Sequence, residues 1–131
     1  MIHFFSNHKI IFVVTNIIFI VFYLYPGSLA GFLVFNDFSK QPQITPDFFE
    51  ISSNHFYAFF LISIIGILTF YNSPKLIYFV ILLIFYSIIL ELLHMIIPKR
   101  TFQYEDLFGN LYGVIASIFL LCIKRVYEKF K

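Results

Sequence analysis

The sequence predicts an all-α membrane protein, built as a bundle of four transmembrane helices. Of its 131 residues, 60% are hydrophobic and only 12% carry charge, whereas soluble domains carry about 25% charged residues. The apolar residues also fall into four long runs, which is the pattern of helices that cross a lipid bilayer. Together these observations exclude an ordinary soluble domain.

The four predicted spans form a single domain and end at turn-forming or basic residues. They cover residues 10–25, 56–71, 76–97 and 107–123. The residues that end them are, in order, Pro26-Gly27, Asn72-Ser73-Pro74, Pro98 and Lys124-Arg125. The first two runs give only about 24 Å of helix at about 1.5 Å per residue, against a hydrocarbon core of about 30 Å. We therefore expect flanking residues to lengthen these helices.

Residues 26–54 form the predicted external loop. Within it, Thr45-Pro46 followed by Asp47 and Glu50 resembles a helix start, which would lengthen the second span upstream. The short apolar stretch Ala30–Phe35 is expected to dip into the membrane interface.

The N-terminal segment leaves two alternatives open. Lys9, the first apolar run and the small residues at 27–30 resemble a signal peptide, so residues 1–30 could be cleaved. Tyr23 and Tyr25 close the run, however, and tyrosines there are typical of a membrane interface. We therefore favour a retained span.

The distribution of basic residues predicts that both termini lie inside the cell. Membrane proteins keep an excess of lysine and arginine on the cytoplasmic side. An N-in, C-in orientation places six basic residues inside (Lys9, Lys75, Lys124, Arg125, Lys129, Lys131) and three outside (Lys40, Lys99, Arg100). Lys99 and Arg100 are an exception to the pattern, which makes them candidates for an anion-binding role.

Charge and cysteine content narrow the set of partners. The formal net charge of +2 argues against nucleic acid, and the single cysteine excludes an internal disulfide. The chain has no metal-ligand spacing motif, phosphate loop or nucleophile motif. We therefore expect no metal and no cofactor.

Polar residues from three spans share one predicted membrane depth, near the outer leaflet. Ionisable groups within hydrocarbon are costly and mark functional sites by default. The candidate ligand-binding residues are His55, Glu91, His94, Lys99, Arg100, Asp106 and Asn110. Each also has a structural explanation, as a helix cap, an interhelical hydrogen bond or a basic side chain reaching the lipid head groups.

Helical spacing groups these residues into two stripes. Ser87, Glu91, His94 and Pro98 form one stripe, and Asp106, Asn110, Gly113 and Ser117 form the other. Gly113 and Ser117 are small enough to let helices pack closely. The connection between spans three and four is short, so we expect span three to be their partner.

The second stripe and the turn before it resemble a known family signature. Glu91-x-x-His94, Pro98-x-Arg100, Asp106, Asn110 and Gly113 match the pattern of the VanZ-like family, small membrane proteins named for a glycopeptide (teicoplanin) resistance factor. His94 stands where the family usually has glutamine. The resemblance implies a location in the bacterial inner (cytoplasmic) membrane and a role in teicoplanin tolerance or envelope homeostasis, with no reaction settled for the family.

Three functions follow as hypotheses. The leading one is a binding protein that holds the anionic head group of a membrane lipid or a lipid-linked envelope precursor at the outer leaflet. The second is a membrane hydrolase or transferase acting on a lipid-linked phosphate, with Glu91, His94 and Asp106 as catalytic candidates, a divalent metal as an option and Ser87 as a nucleophile. The third is a scaffold subunit, with a second copy of the chain or another membrane protein as partner.

Overall fold

The structure, a computed structural model, describes residues 2–131 as six α-helices joined by loops, without a β-strand in that range. The helices are α1 (Ile2–Asn7), α2 (Lys9–Leu24), α3 (Leu29–Phe35), α4 (Ser53–Phe70), α5 (Leu76–Leu93) and α6 (Tyr104–Lys129). Helices α4, α5 and α6 are each long and apolar enough to cross a membrane. Helices α2 and α3 form a fourth candidate span that bends by 84° at the break between them. The predicted all-helical fold is therefore confirmed, with three to four helices that could cross a membrane by length and composition.

The outer surface of the bundle is apolar. Ile17, Leu82 and Phe119 are each more than half exposed, as are many other large hydrophobic side chains on α2, α5 and α6. A water-soluble monomer rarely exposes so much contiguous apolar surface. Lipid would cover this surface, and the fully buried Phe59 and Val114 form the centre of the protein core.

Two predicted helix ends were misplaced. Span three was expected to reach Ile97, but α5 ends at Leu93. Beyond Leu93 the backbone hydrogen bonds join residues three apart, as from His94 N–H to Glu91 O (3.1 Å). Span four was expected to stop at Ile123, but α6 continues to Lys129. Lys124 donates a hydrogen bond to Glu128 (2.5 Å), and ion pairs four residues apart support a helix beyond the apolar run.

The predicted helix start near Asp47 was wrong, since α4 begins only at Ser53. Phe49 and Glu50 have positive φ angles of 49° and 58°, which a right-handed helix does not allow. Asp47 still contributes to the helix start from a distance, because its Oδ1 accepts a hydrogen bond from the Ser53 N–H (2.8 Å).

The predicted external loop 26–54 contains a short helix, α3. This helix covers the apolar stretch that was expected to dip into the interface. The Ser28 side chain caps it by accepting a hydrogen bond from the Gly31 N–H (2.9 Å), and Asn36 ends it in a left-handed conformation.

Helix α6 packs against α4 through small residues. A Cβ added to Gly113 would lie 2.5 Å from the backbone oxygen of Phe56, and the Ser117 hydroxyl donates a hydrogen bond to the backbone oxygen of Phe60 (3.1 Å). The expectation that Gly113 and Ser117 face span three was therefore wrong, and their partner is span two. Close backbone approach decides the helix pairing here, not the length of the connection.

Candidate functional site

A buried polar cluster lies at the end of the bundle where α5 meets the start of α6. We use this name for Tyr23 on α2, His55 on α4, Glu91 on α5, His94 directly after α5, and Asn110 on α6. All five are at most 8% exposed, and Glu91 and Asn110 are fully buried. Polar side chains on or directly after each of the four longest helices thus meet in one cluster.

The Glu91 carboxylate is surrounded by donors. Its Oε2 accepts hydrogen bonds from the Tyr23 hydroxyl (2.6 Å) and the Asn110 amide (3.4 Å). Its Oε1 accepts one from the backbone N–H of Gln103 (3.2 Å) and lies 3.4 Å from His94 Nδ1. These contacts replace the water that a carboxylate loses on burial.

The contacts of His94 indicate where its ring nitrogens carry hydrogen. Its Nε2 lies 3.0 Å from the backbone oxygen of Tyr23, which can only accept a hydrogen bond, so Nε2 carries a hydrogen. Its Nδ1 faces the Glu91 oxygen, which is also an acceptor. One hydrogen therefore lies between His94 Nδ1 and Glu91 Oε1, and it joins the two side chains in a buried contact. The His94 ring also stacks on the Tyr23 ring, with 4.8 Å between centroids.

Asn110 joins the remaining members of the cluster. Its amide nitrogen donates to the Tyr23 hydroxyl (2.6 Å), and its Oδ1 lies 3.0 Å from His55 Nδ1. Because Oδ1 accepts, the His55 hydrogen is on Nδ1. The other ring nitrogen, Nε2, faces Asp106 Oδ2 at 3.5 Å.

Tyr23 is the member that sequence analysis missed. We expected it at the membrane interface, but it lies at the centre of the cluster and is only 8% exposed. Its hydroxyl contacts Glu91, Asn110 and His55 at once. A tyrosine at the end of an apolar run is typical of the interface, and no polar neighbour along α2 marks it as buried.

Three cavities open beside the cluster. One of about 470 Å³ has polar walls that include His94, Asp106 and Lys99. A second, of about 300 Å³, has mostly apolar walls that include Phe19 and Phe22. A third, of about 410 Å³, lies between Gly27 and the turn after α5. Arg100 lines all three, which places it where the polar and apolar spaces meet.

Arg100 is held by its Nε, which donates a hydrogen bond to the backbone oxygen of Tyr25 (3.1 Å). Partial burial lowers the pKa of Arg100 from its ordinary value, yet a guanidinium remains protonated at neutral pH. Its terminal nitrogens make no hydrogen bond to any residue in the range 2–131. They are therefore available to an anion in the cavities.

The predicted site residues thus fall into two groups. His55, His94, Asp106, Lys99 and Arg100 line cavities and can meet a ligand directly. Glu91 and Asn110 line none of these three cavities, because their polar atoms bind protein groups. The fully buried Ser87 hydroxyl donates to the Ile84 backbone oxygen (2.7 Å), and so it is not poised as a nucleophile.

One grouping was not apparent from sequence spacing. His55, Glu91 and Asp106 each offer a ligand atom, and these atoms all lie within 4.8 Å of one another. The three residues come from three different helices and are separated by up to 51 positions (106 − 55). Short-range metal motifs cannot reveal such a set.

Comparisons with protein-family models, with curated proteins and with solved structures found no match to this chain.

Proposed function

We propose that this membrane protein binds an amphiphile whose anionic head group enters the polar cavity while its acyl or prenyl chain occupies the apolar one. The observation that carries the proposal is that both cavities share wall residues. The shared residues are Gln41, Gln43, Asn54, His94 and Arg100. A ligand lying across this shared wall needs one charged end and one apolar end.

The Arg100 guanidinium supports an anionic head group. It is always charged, and its planar fork matches phosphate or carboxylate oxygens in a bidentate geometry. Lys99 lines the same polar cavity and adds a second positive charge. Because the Nε of Arg100 is already fixed on Tyr25, little side-chain entropy is lost when an anion binds the terminal nitrogens.

The resemblance to the VanZ-like family gives the proposal its cellular setting. In that setting the chain has its N and C termini in the cytoplasm of a bacterium, and the cavities open at the outer leaflet of the inner membrane. The ligand would be a phospholipid or a lipid-linked envelope precursor. Binding it would contribute to teicoplanin tolerance or envelope homeostasis.

Glu91 and Asn110 have a supporting role in this proposal. Their hydrogen bonds tie α2, α5 and α6 together behind the cavities and fix His94 in the shared wall. The alternative of a scaffold subunit rests on the same contacts, since a saturated polar network also serves simply to join helices. The two alternatives differ in whether the wall residues hold a ligand.

Native mass spectrometry of protein purified from a bacterial membrane in mild detergent tests the proposal. We expect the wild type to retain a phosphate-bearing lipid and Arg100→Ala to lose it. Arg100→Lys keeps the charge but not the fork, so it should retain less lipid than the wild type. Lys75→Ala is the matched control, because it removes one positive charge from the turn between α4 and α5, at the far end of the bundle.

The alternatives predict different results in the same experiment. Absence of bound lipid in the wild type, with its fold verified by circular dichroism, would favour the scaffold subunit. Equal lipid retention by Arg100→Ala and Lys75→Ala would show that the head group is held elsewhere and would refute the role given to Arg100.

A further inference from the structure

The starting observation is a buried imidazole nitrogen with no hydrogen-bond partner. His55 is 7% exposed, and its Nδ1 hydrogen is used by the Asn110 side chain. In the neutral ring, Nε2 therefore presents a lone pair, and it makes no hydrogen bond within the described residues 2–131. This lone pair faces Asp106 Oδ2 at 3.5 Å. Two acceptors that face each other at this distance need a hydrogen or a cation between them.

The protein itself places no lysine or arginine there. Among the described residues, His55 is the only basic side chain within 4.0 Å of the Asp106 carboxylate. Glu91 adds a second carboxylate: its Oε2 lies 3.8 Å from His55 Nδ1, and ligand atoms of Glu91, His55 and Asp106 lie within 4.8 Å of one another. His94 does not supply a charge to this point, because its Nδ1 faces Glu91 Oε1 and its Nε2 faces the Tyr23 backbone oxygen. The point between His55 and Asp106 thus remains electronegative.

We infer that His55, Asp106 and Glu91 form a binding site for one divalent transition-metal ion, of which Zn²⁺ best suits an imidazole with two carboxylates. The expectation of no metal rested only on the lack of a local spacing motif. The inference does not depend on the proposed lipid, since it uses only these side chains.

The geometry fits such an ion. With metal–ligand bonds of about 2.1 Å, an Nε2 to Oδ2 separation of 3.5 Å corresponds to a ligand–metal–ligand angle of about 113°, close to tetrahedral. Asp106 lines the polar cavity, so water can complete the coordination. The hydrogen bond from His55 Nδ1 to Asn110 is the kind of partner that fixes the tautomer and orientation of a metal-binding imidazole.

Titration calorimetry with Zn²⁺ tests the inference on full-length protein in phosphate-free maltoside micelles. We expect one Zn²⁺ per chain. Asp106→Asn and His55→Gln should each weaken binding by at least about tenfold to a hundredfold, the range for loss of even an outer partner. Glu105→Gln, on the adjacent residue in the first turn of α6, removes the same charge and should leave binding within about twofold of the wild type.

Cobalt absorption provides a test that needs no variant. Co²⁺ in the wild-type site should give the strong visible bands of four- or five-coordinate cobalt and be displaced by Zn²⁺. The weak six-coordinate spectrum of free Co²⁺, or no saturable Zn²⁺ binding, would overturn the inference and leave a proton on His55 as the charge that faces Asp106. Equal loss of Zn²⁺ binding in Asp106→Asn and Glu105→Gln would also overturn it, because the effect would then be one of overall charge.

Discussion

Glu91→Gln should destabilise the bundle by about 1.5–3 kcal/mol, because it removes one acceptor oxygen from a buried network of hydrogen bonds. Glu91 is fully buried, and its two oxygens accept hydrogen bonds from Tyr23, Gln103 and Asn110. Glutamine has the shape of glutamate but only one acceptor oxygen. It can satisfy either the Tyr23 hydroxyl or the backbone N–H of Gln103, not both. A hydrogen bond to a charged group contributes about 1.5–3 kcal/mol, so loss of one of them is of the same order.

Unfolding in mixed micelles, followed by circular dichroism as the fraction of sodium dodecyl sulfate rises, measures this loss of stability. Glu105→Gln is the control, because Glu105 is exposed one turn before the cluster and should change stability by less than about 0.5 kcal/mol. In a double-mutant cycle, Glu91→Gln and His94→Gln together should cost at least about 1 kcal/mol less than the sum of the two single changes. A Glu91→Gln loss no larger than that of the control would refute the role of the Glu91 hydrogen bonds, and strict additivity would refute the contact between Glu91 and His94.

Two further predictions concern the scaffold. Gly113→Ala should lower stability by about 1–3 kcal/mol, since its Cβ would lie 2.5 Å from the Phe56 backbone oxygen. Ile115→Ala is the comparison on the lipid-facing side. A Gly113→Ala variant that is more stable than the wild type would disprove the close α4–α6 contact. The Ser53 N–H holds the pKa of Asp47 below its usual range. The stability from this contact is therefore present above the unfolded pKa of about 3.9 and is lost as pH falls through the lower folded value. Melting temperatures across this acid range should fall less steeply for Asp47→Asn than for the wild type, and identical slopes would contradict the contact.

The sequence was enough to predict the helical membrane fold, because long apolar runs have few other stable arrangements in a bilayer. The sequence also predicted that a set of polar residues lies close together, since residues at one membrane depth and on one helical stripe converge when helices pack. These residues are His55, Glu91, His94, Asp106 and Asn110. Orientation relative to the membrane stays a prediction, as do the ligand and the family.

The features that could not be predicted depend on which helices pack against each other. The length of the connection suggested that Gly113 would face span three, but backbone approach placed it against Phe56 on span two. Tyr23 was assigned to the interface because tyrosine commonly lies there, and only the fold shows that its hydroxyl meets Glu91. The end of α5 at Leu93 could not be predicted for a similar reason. The turn that follows the helix places His94 in contact with the Tyr23 backbone oxygen on α2, and this contact depends on the fold.

The participation of four helices in one polar cluster has a consequence for how the chain is made. Asn110 is on α6, which is synthesised after α2, α4 and α5, so the Tyr23 hydroxyl and His55 have no amide partner until α6 is made. A chain that stops before α6 lacks the Asn110 side chain, so His55 Nδ1 loses its acceptor and Glu91 loses one donor, at a cost of about 1 kcal/mol or more each. The cluster therefore requires α6, and a chain truncated before this helix should be less stable than one that includes it.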